Sequence, residues 1–462
     1  MRLHYLKFLS IIVFALLALG CSKDEATANG SVDTPDPTDD NPTQGFLGEI
    51  DYVKTFGGSG EDDALSVTKT LDGGIAVFGF TQSIDGDVTG KSSTDSDYWL
   101  LKLDANGNKQ WDQVYGGSDD DRGQKIIATS DGGFAVTGFS RSNDGEVSDN
   151  NGFYDYWVLK LNASGNIQWS KTFGFPGSDR SFSLTELHDG GFFLTGFLDV
   201  TASGGEGNDL KRKGAAVLHG VGEFWGIRLD ENGNKIWRRY FGGTNNDRSY
   251  DVIQTSTQDI LMVGSSESDD FDITNPKGSY DIWVVKTDLD GNLLWQKNFG
   301  GSSIEIGYSV TETQDGNFVL AGDTRSSDGD ISNPMGNSDF WMIKFDPLGN
   351  LIWEKTLGGS DFDSARSIEE FQNGDLLISG SSKSQDHMLT QNYGSNDAWA
   401  VITAGSGIVK WQSTFGGSDL DFINQAIQLE DLGVVLIGNT ESADYDVKEN
   451  KGSKDILLIK LK

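Results

Sequence analysis

An acid recurs six residues after a repeated aromatic-glycine marker, at Asp62, Asp121, Asp179, Asp247, Glu305, Asp363 and Asp421. Seven carboxylates at equivalent offsets can converge on one axis, and such a ring would suit a hard divalent cation. The competing role is local, because an aspartate ahead of a strand caps its own turn through backbone N–H groups. Recurrence in every copy favours the cap. A second acidic pattern is Asp85-Gly86-Asp87, Asp144-Gly145-Glu146, Asp270-Phe271-Asp272, Asp328-Gly329-Asp330 and Asp444-Tyr445-Asp446. Alternating carboxylates fit part of a calcium loop, so Ca2+ is the cofactor to consider. No distal bidentate glutamate completes the set, and a solvated Asx turn accounts for the pattern better.

Positive charge gathers in one segment. Lys211-Arg212-Lys213, with His219 nearby, lies in a stretch of roughly 202–222 that lengthens the third copy by ten residues. Arg122, Arg180 and Arg248 each directly follow one of the recurring acids. Together these groups could clamp a carboxylate or sulfate. The alternative is an exposed insertion tip with no partner. Beyond the first twenty residues only His188, His219 and His387 offer an imidazole. No Gly-x-Ser-x-Gly elbow, phosphate-binding glycine loop or His-Glu-x-x-His is present. Acid pairs are too numerous to diagnose glycoside hydrolysis. A polysaccharide lyase would need a basic residue to neutralise a uronate while His219, or a tyrosine such as Tyr250, moves the proton.

What positions these groups is a repeat. The marker falls at Phe56, Tyr115, Phe173, Phe241, Phe299, Leu357 and Phe415, spaced 58 or 59 residues apart except for one interval of 68. A fixed period of this size signals a propeller or solenoid. All 12 tryptophans belong to it: six lie four residues before a marker, and six lie in a second apolar segment of each copy. A glycine stands 23 residues after every marker, from Gly79 to Gly438. Each copy reads as four short strands; in the first they are 65–70, 75–81, 98–104 and 109–115. Asp72-Gly73-Gly74 and its equivalents make tight hairpins, since glycine accepts the positive φ they require. Four antiparallel strands per copy, seven times, predict an all-β, seven-bladed β-propeller. The repeat opens on an outer-type strand, 49–56, and closes on a third-type strand, 455–462. The first is therefore expected to complete the last blade and leave no unmatched edge. The topology puts crossovers, long loops, recurring acids and arginines on one face, and the tight hairpins on the other.

The ends and the composition bound the rest. Arg2 and Lys7 precede an apolar run to Leu19, then Gly20 and Cys21, the only cysteine. Residues 1–20 are expected to be a secretory signal, too short to span a membrane. Residues 21–48 are rich in Asp, Thr, Pro and Asn and are expected to be a solvated tether. Residues 49–462 form the propeller. Net charge is −34, which argues against nucleic acid as a partner.

Ala18-Leu19-Gly20-Cys21 resembles the lipobox of bacterial lipoproteins in the looser form of Bacteroidetes, and Ser22-Lys23-Asp24-Glu25 resembles the acidic tag for export to the outer face. The resemblance implies acylation of Cys21 and a membrane partner through that anchor. The Trp-x-Lys-Thr-Phe-Gly-Gly-Ser repeat resembles the SBBP and NHL-like propeller repeats of Bacteroidetes surface lipoproteins over 49–462. The leading expectation is an outer-membrane, monomeric binding module for a glycan or protein. A carbohydrate-active enzyme and a structural surface protein are the alternatives.

Overall fold

The computed structural model describes residues 46–209, 219–389 and 391–462. Among these, 28 strands, β1 to β28 in chain order, form seven four-stranded antiparallel sheets. Blade one is typical: β2 (Asp62–Lys69), β3 (Ile75–Thr81), β4 (Asp97–Leu103) and β5 (Lys109–Tyr115), paired in that order. The chain is all-β and seven-bladed, as the period predicts. The inner strand starts earlier than its apolar residues suggest, because Asp62 already pairs with Thr81 in the ladder.

Closure is made by the first strand. β1 (Ile50–Phe56) pairs antiparallel with β28 (Asp455–Leu461), in the sheet that also holds β26 (Asp421–Gln428) and β27 (Val434–Thr440). Val53 lies opposite Ile459 and Phe56 opposite Ile456. The ordered edge begins before Glu49: Leu47 and Gly48 both donate their N–H to the Lys462 carbonyl at 2.9 Å, and Phe46 packs edge-on to Trp411 at 5.2 Å.

Middle strands are buried along their whole length, while outer strands alternate with solvent. That is the pattern of sheets covered on both faces by neighbouring blades. The core is accordingly divided among the junctions. Trp99, Trp157, Trp225, Trp283, Trp341 and Trp399, all on third strands, are wholly buried. Each indole N–H needs a partner there. Trp99, Trp157, Trp283, Trp341 and Trp399 donate to a side chain thirteen residues on, such as Gln296 Oε1 at 2.8 Å from Trp283. Trp225 instead donates to the Gly207 carbonyl at 2.9 Å, so the blade-three insertion supplies an acceptor that Arg238 cannot.

On the hairpin face, buried third-strand lysines meet the aspartate of the Asp-Gly turn. Lys102 pairs with Asp72 at 2.9 Å, and Lys160 with Asp131 at 2.8 Å. Hydrogen bonding from Thr70 and then Lys102 holds Asp72 down at about 2.

Candidate functional site

Six of the recurring acids begin the inner strands and Asp179 directly precedes its own, and all seven are fully buried. Their oxygens turn into the junction rather than gather at the axis. Asp62 accepts from Gly58 N at 2.8 Å and Ser83 Oγ at 2.7 Å, with Thr81 on its other oxygen. Asp121, Asp363 and Asp421 repeat this set with Gly117, Gly359 and Gly417. Asp247 accepts from Gly243 N and Ser268 Oγ, and Glu305 from Gly301 N and Thr324 Oγ1. The cap is therefore the role the geometry gives them: a carboxylate tying the crossover turn to the second strand. No cluster of three or more metal-ligating side chains suited to a metal ion occurs among the described residues.

The long-loop acids hold the same crossover from above. Asp85 Oδ1 accepts from Ser59 N at 2.7 Å, and Asp87 Oδ2 from Gly57 N at 3.0 Å. Asp144, Asp270, Asp328 and Asp444 repeat the first bond; Glu146, Asp272, Asp330 and Asp446 the second. The Asp-x-Asp pattern thus staples each crossover through backbone N–H groups. Blade six shows the same staple in Asp386, which accepts from Ser360 N at 2.7 Å.

Each capping acid faces a second buried acid from the preceding third strand. A Cβ on Gly57 would lie 2.4 Å from Asp455 Oδ1 and 2.6 Å from Asp62 Oδ2, so both carboxylates crowd one point. Burial, with the neighbouring carboxylate adding to it, pushes Asp281 and Asp455 up to about 6 and Asp397 to about 7. Burial raises Asp155 and Asp339 to about 6 as well. Blade three departs from the set. Leu198 and Val200 stand where Thr81 and Ser83 serve Asp62, so Asp179 keeps only the backbone donors Phe175 N and Asp199 N, each at 2.8 Å. Burial pushes it to about 8.

The three arginines do come together. Each guanidinium lies across a second-strand aromatic of the preceding blade: Arg122 over Phe80 at 5.0 Å, Arg180 over Phe139 at 4.8 Å and Arg248 over Phe197 at 4.9 Å. Arg122 pairs with Asp120 at 3.3 Å. Arg180 bonds Ser178 Oγ at 3.3 Å and makes no ion pair among the described residues. Burial, and then the charges of Arg248 and Arg122, lower its pKa. A half-buried guanidinium with two others near it favours an anion beside it.

Sequence reasoning missed the channel lining. Every inner strand carries a β-bulge at one position, where the pairing skips a residue: Leu65, Gln124, Phe182, Tyr250, Tyr308, Arg366 and Asn424. A bulge leaves its extra residue out of the ladder and re-aims the side chain. All seven are half-buried and line a central cavity of about 920 Å3. The signal was the glycine 23 residues after each marker. A Cβ on Gly79 would lie 1.9 Å from the Asp63 carbonyl, the group that the bulge at Leu65 pushes across the ladder. An isolated glycine within a strand pattern is the mark of such a bulge.

Lys211, Arg212, Lys213 and Cys21 lie outside the described residues. His219, for which the sequence leaves an exposed insertion tip open, is nearly enclosed. Its Nδ1 is 3.0 Å from Glu223 Oε2, and its ring stacks on Phe271 at 4.7 Å. Burial, then Asp247, pushes Glu223 up to about 10, so its neutral form is the one beside the imidazole. Tyr250 packs at a tilt between Phe182 and Tyr308 in the channel. The two candidate proton carriers therefore occupy different surroundings.

No family model matches this chain, and the repeat type expected from its sequence is not matched by one either. Regulatory protein FlaEY of Caulobacter vibrioides is 24% identical over 424 residues, covering 82% of this chain and 42% of that protein. The chain thus spans less than half the length of this relative. Among solved structures, the WD40 domain of Pan2 from Neurospora crassa has a TM-score of 0.46 at 9% identity, over 89% of this chain and 96% of that one. Sqt1 from Chaetomium thermophilum has a TM-score of 0.43 at 11% identity, over 84% and 82%. The propeller assignment stands on the strand pairing itself.

Proposed function

We propose that this chain is an outward-facing, lipid-anchored protein of the outer membrane whose propeller binds a glycan or protein on its crossover face. The observation that carries the reading is the break in seven-fold regularity there. Arg122, Arg180 and Arg248 occupy one strand position in blades two to four, where the other blades have Asp63, Ile306, Ser364 and Phe422. The fold needs nothing particular at that position, so three adjacent guanidiniums in a chain of net charge −34 suit an anionic ligand. The lipobox-like run ending at Cys21, the acidic tag and the tether support the anchor. The likeness to SBBP and NHL-like repeats of surface lipoproteins supports the same placement. A relative named as a regulatory protein agrees with action by binding. In the lyase alternative His219 is committed to Glu223, which leaves Tyr250 in the cavity as the candidate proton carrier.

Two measurements test this. Cells fed an alkyne-tagged palmitate should label the wild-type chain in the membrane fraction, and Cys21→Ser should abolish both label and membrane association. Unlabelled, soluble wild-type protein would end the anchor proposal. On a glycan array, and in titrations of its best hit, Arg122→Gln with Arg180→Gln and Arg248→Gln should weaken binding at least tenfold and flatten its salt dependence. Replacing Lys211, Arg212 and Lys213 with alanine should act in the same direction. Affinity unchanged by both sets would remove the crossover face as the site.

A further inference from the structure

The bulged positions are geometrically equivalent yet chemically unlike. Seven blades place six residue types there, whereas the ladder position just before each bulge is small or apolar in every blade, from Ala64 to Ile423. A side chain the fold required would recur; one that varies at fixed geometry is free to serve a ligand. Three consecutive blades put aromatic rings there. Tyr250 lies 5.3 Å from Phe182 and 5.2 Å from Tyr308, centroid to centroid; all three are half-buried and line the cavity, Tyr308 with the Arg366 guanidinium 3.9 Å over its ring. This row is continuous with the arginine cluster. Phe182 packs 5.8 Å from Phe197 and 6.5 Å from Phe139, the rings beneath Arg248 and Arg180.

We infer that Phe182, Tyr250 and Tyr308 form the stacking wall of a site for a uronate-containing oligosaccharide, its carboxylates held by Arg122, Arg180 and Arg248. The inference rests on the reading of the crossover face as the binding face. A pyranose offers a flat C–H face to an aromatic ring and hydroxyls at its edge. The row of rings meets the first need, and the bulged amides Gln124 and Asn424 elsewhere around the cavity meet the second. Guanidinium matches carboxylate in a two-bond fork, and Arg180, with no ion pair of its own among the described residues, is the group best placed to accept one. An acidic peptide would satisfy the arginines but would leave the accessible parts of the Phe182 and Tyr250 rings without a complementary face.

The test titrates the full mature chain with hexagalacturonate, a neutral hexasaccharide of the same linkage, and hexaglutamate. Hexagalacturonate should bind, and the other two at least tenfold more weakly. Tyr250→Ala should lower affinity for hexagalacturonate at least tenfold while Tyr250→Phe stays within threefold, which separates stacking from loss of fold. Arg180→Gln should weaken binding and reduce its salt dependence. No binding of hexagalacturonate at millimolar concentration overturns the inference, as does equal binding of the neutral sugar or of hexaglutamate. So does a Tyr250→Ala variant that binds as the wild type does. An array hit that depends on the arginines or on Lys211–Lys213, but not on Tyr250, would leave the crossover-face reading standing and remove only the wall.

Discussion

A chain that starts at Gly57 should aggregate or unfold far below the temperature at which a chain starting at Phe46 unfolds. The eleven residues between contribute β1, the fourth strand of the seventh blade. Phe56 is buried in the cluster joining blades one and seven, and Val53 packs on the cluster joining blades six and seven. Burying such a side chain stabilises by about 1.5–3 kcal/mol. Removing Phe56, Val53 and the Phe46 contact together should cost about 5 kcal/mol or more. The backbone consequence is larger in practice. β28 would present seven residues of unpaired edge that are buried in the closed ring, and such an edge recruits another copy. Phe56→Ala in the longer chain isolates packing from edge exposure and should cost about 3–5 kcal/mol without aggregation. Paired thermal unfolding and size-exclusion runs decide the matter. Equal unfolding temperatures and a monomeric short chain would show that the ring does not depend on β1.

The propeller should be more stable at pH 5 than at pH 8, in the same direction as the relief of self-repulsion when a chain of net charge −34 at neutral pH takes up protons. Asp155, Asp281, Asp339 and Asp455 titrate near 6 in the folded chain, and Asp397 near 7, chiefly because they are buried. In the unfolded chain they return to the ordinary carboxylate value near 4. Between those values the folded state holds more protons, so stability falls as pH rises from about 4 to about 7, and Asp179 and Glu223, pushed up to about 8 and about 10, continue the fall above that. A shift of two pKa units corresponds to about 2.7 kcal/mol per group, though groups sharing a neighbourhood will not add in full. The opposite sign applies to Asp72 and Asp131, held near 2; their contribution is intact above about 4 and lost only as pH falls towards 2. The optimum therefore sits near pH 4, with the unfolding midpoint at pH 5 about 5 °C or more above that at pH 8. Asp339→Asn and Asp155→Asn should each reduce the difference. A midpoint that is level or rises from pH 5 to pH 8 would contradict the assignment of these buried acids.

The sequence by itself determined the number of blades, the strand order within them and the partner of the first strand. Those follow from period, alternation and turn chemistry, which are local and repeated seven times over. It also placed Arg122, Arg180 and Arg248 on one face, because equal offsets from a fixed marker must fall at equal positions in a closed ring. The capping role of Asp62 and its equivalents was legible for the same reason, since a residue needed by every turn appears in every copy. Tertiary structure alone decided the rest. The row of Phe182, Tyr250 and Tyr308 depends on a bulge that inserts one unpaired residue and breaks the two-residue alternation, so simple counting along the strand cannot show which face it lines. The proximity of Asp455 to Asp62 joins residues from the two ends of the repeat, and only closure of the ring brings them to one buried point. His219 belongs to an insertion that the sequence leaves open between an anion clamp and an exposed tip, and only the fold shows it enclosed by Phe271 and Glu223. What repeats was readable from the sequence; what varies at a repeated position acquired its meaning only when seven inner strands were set around one axis.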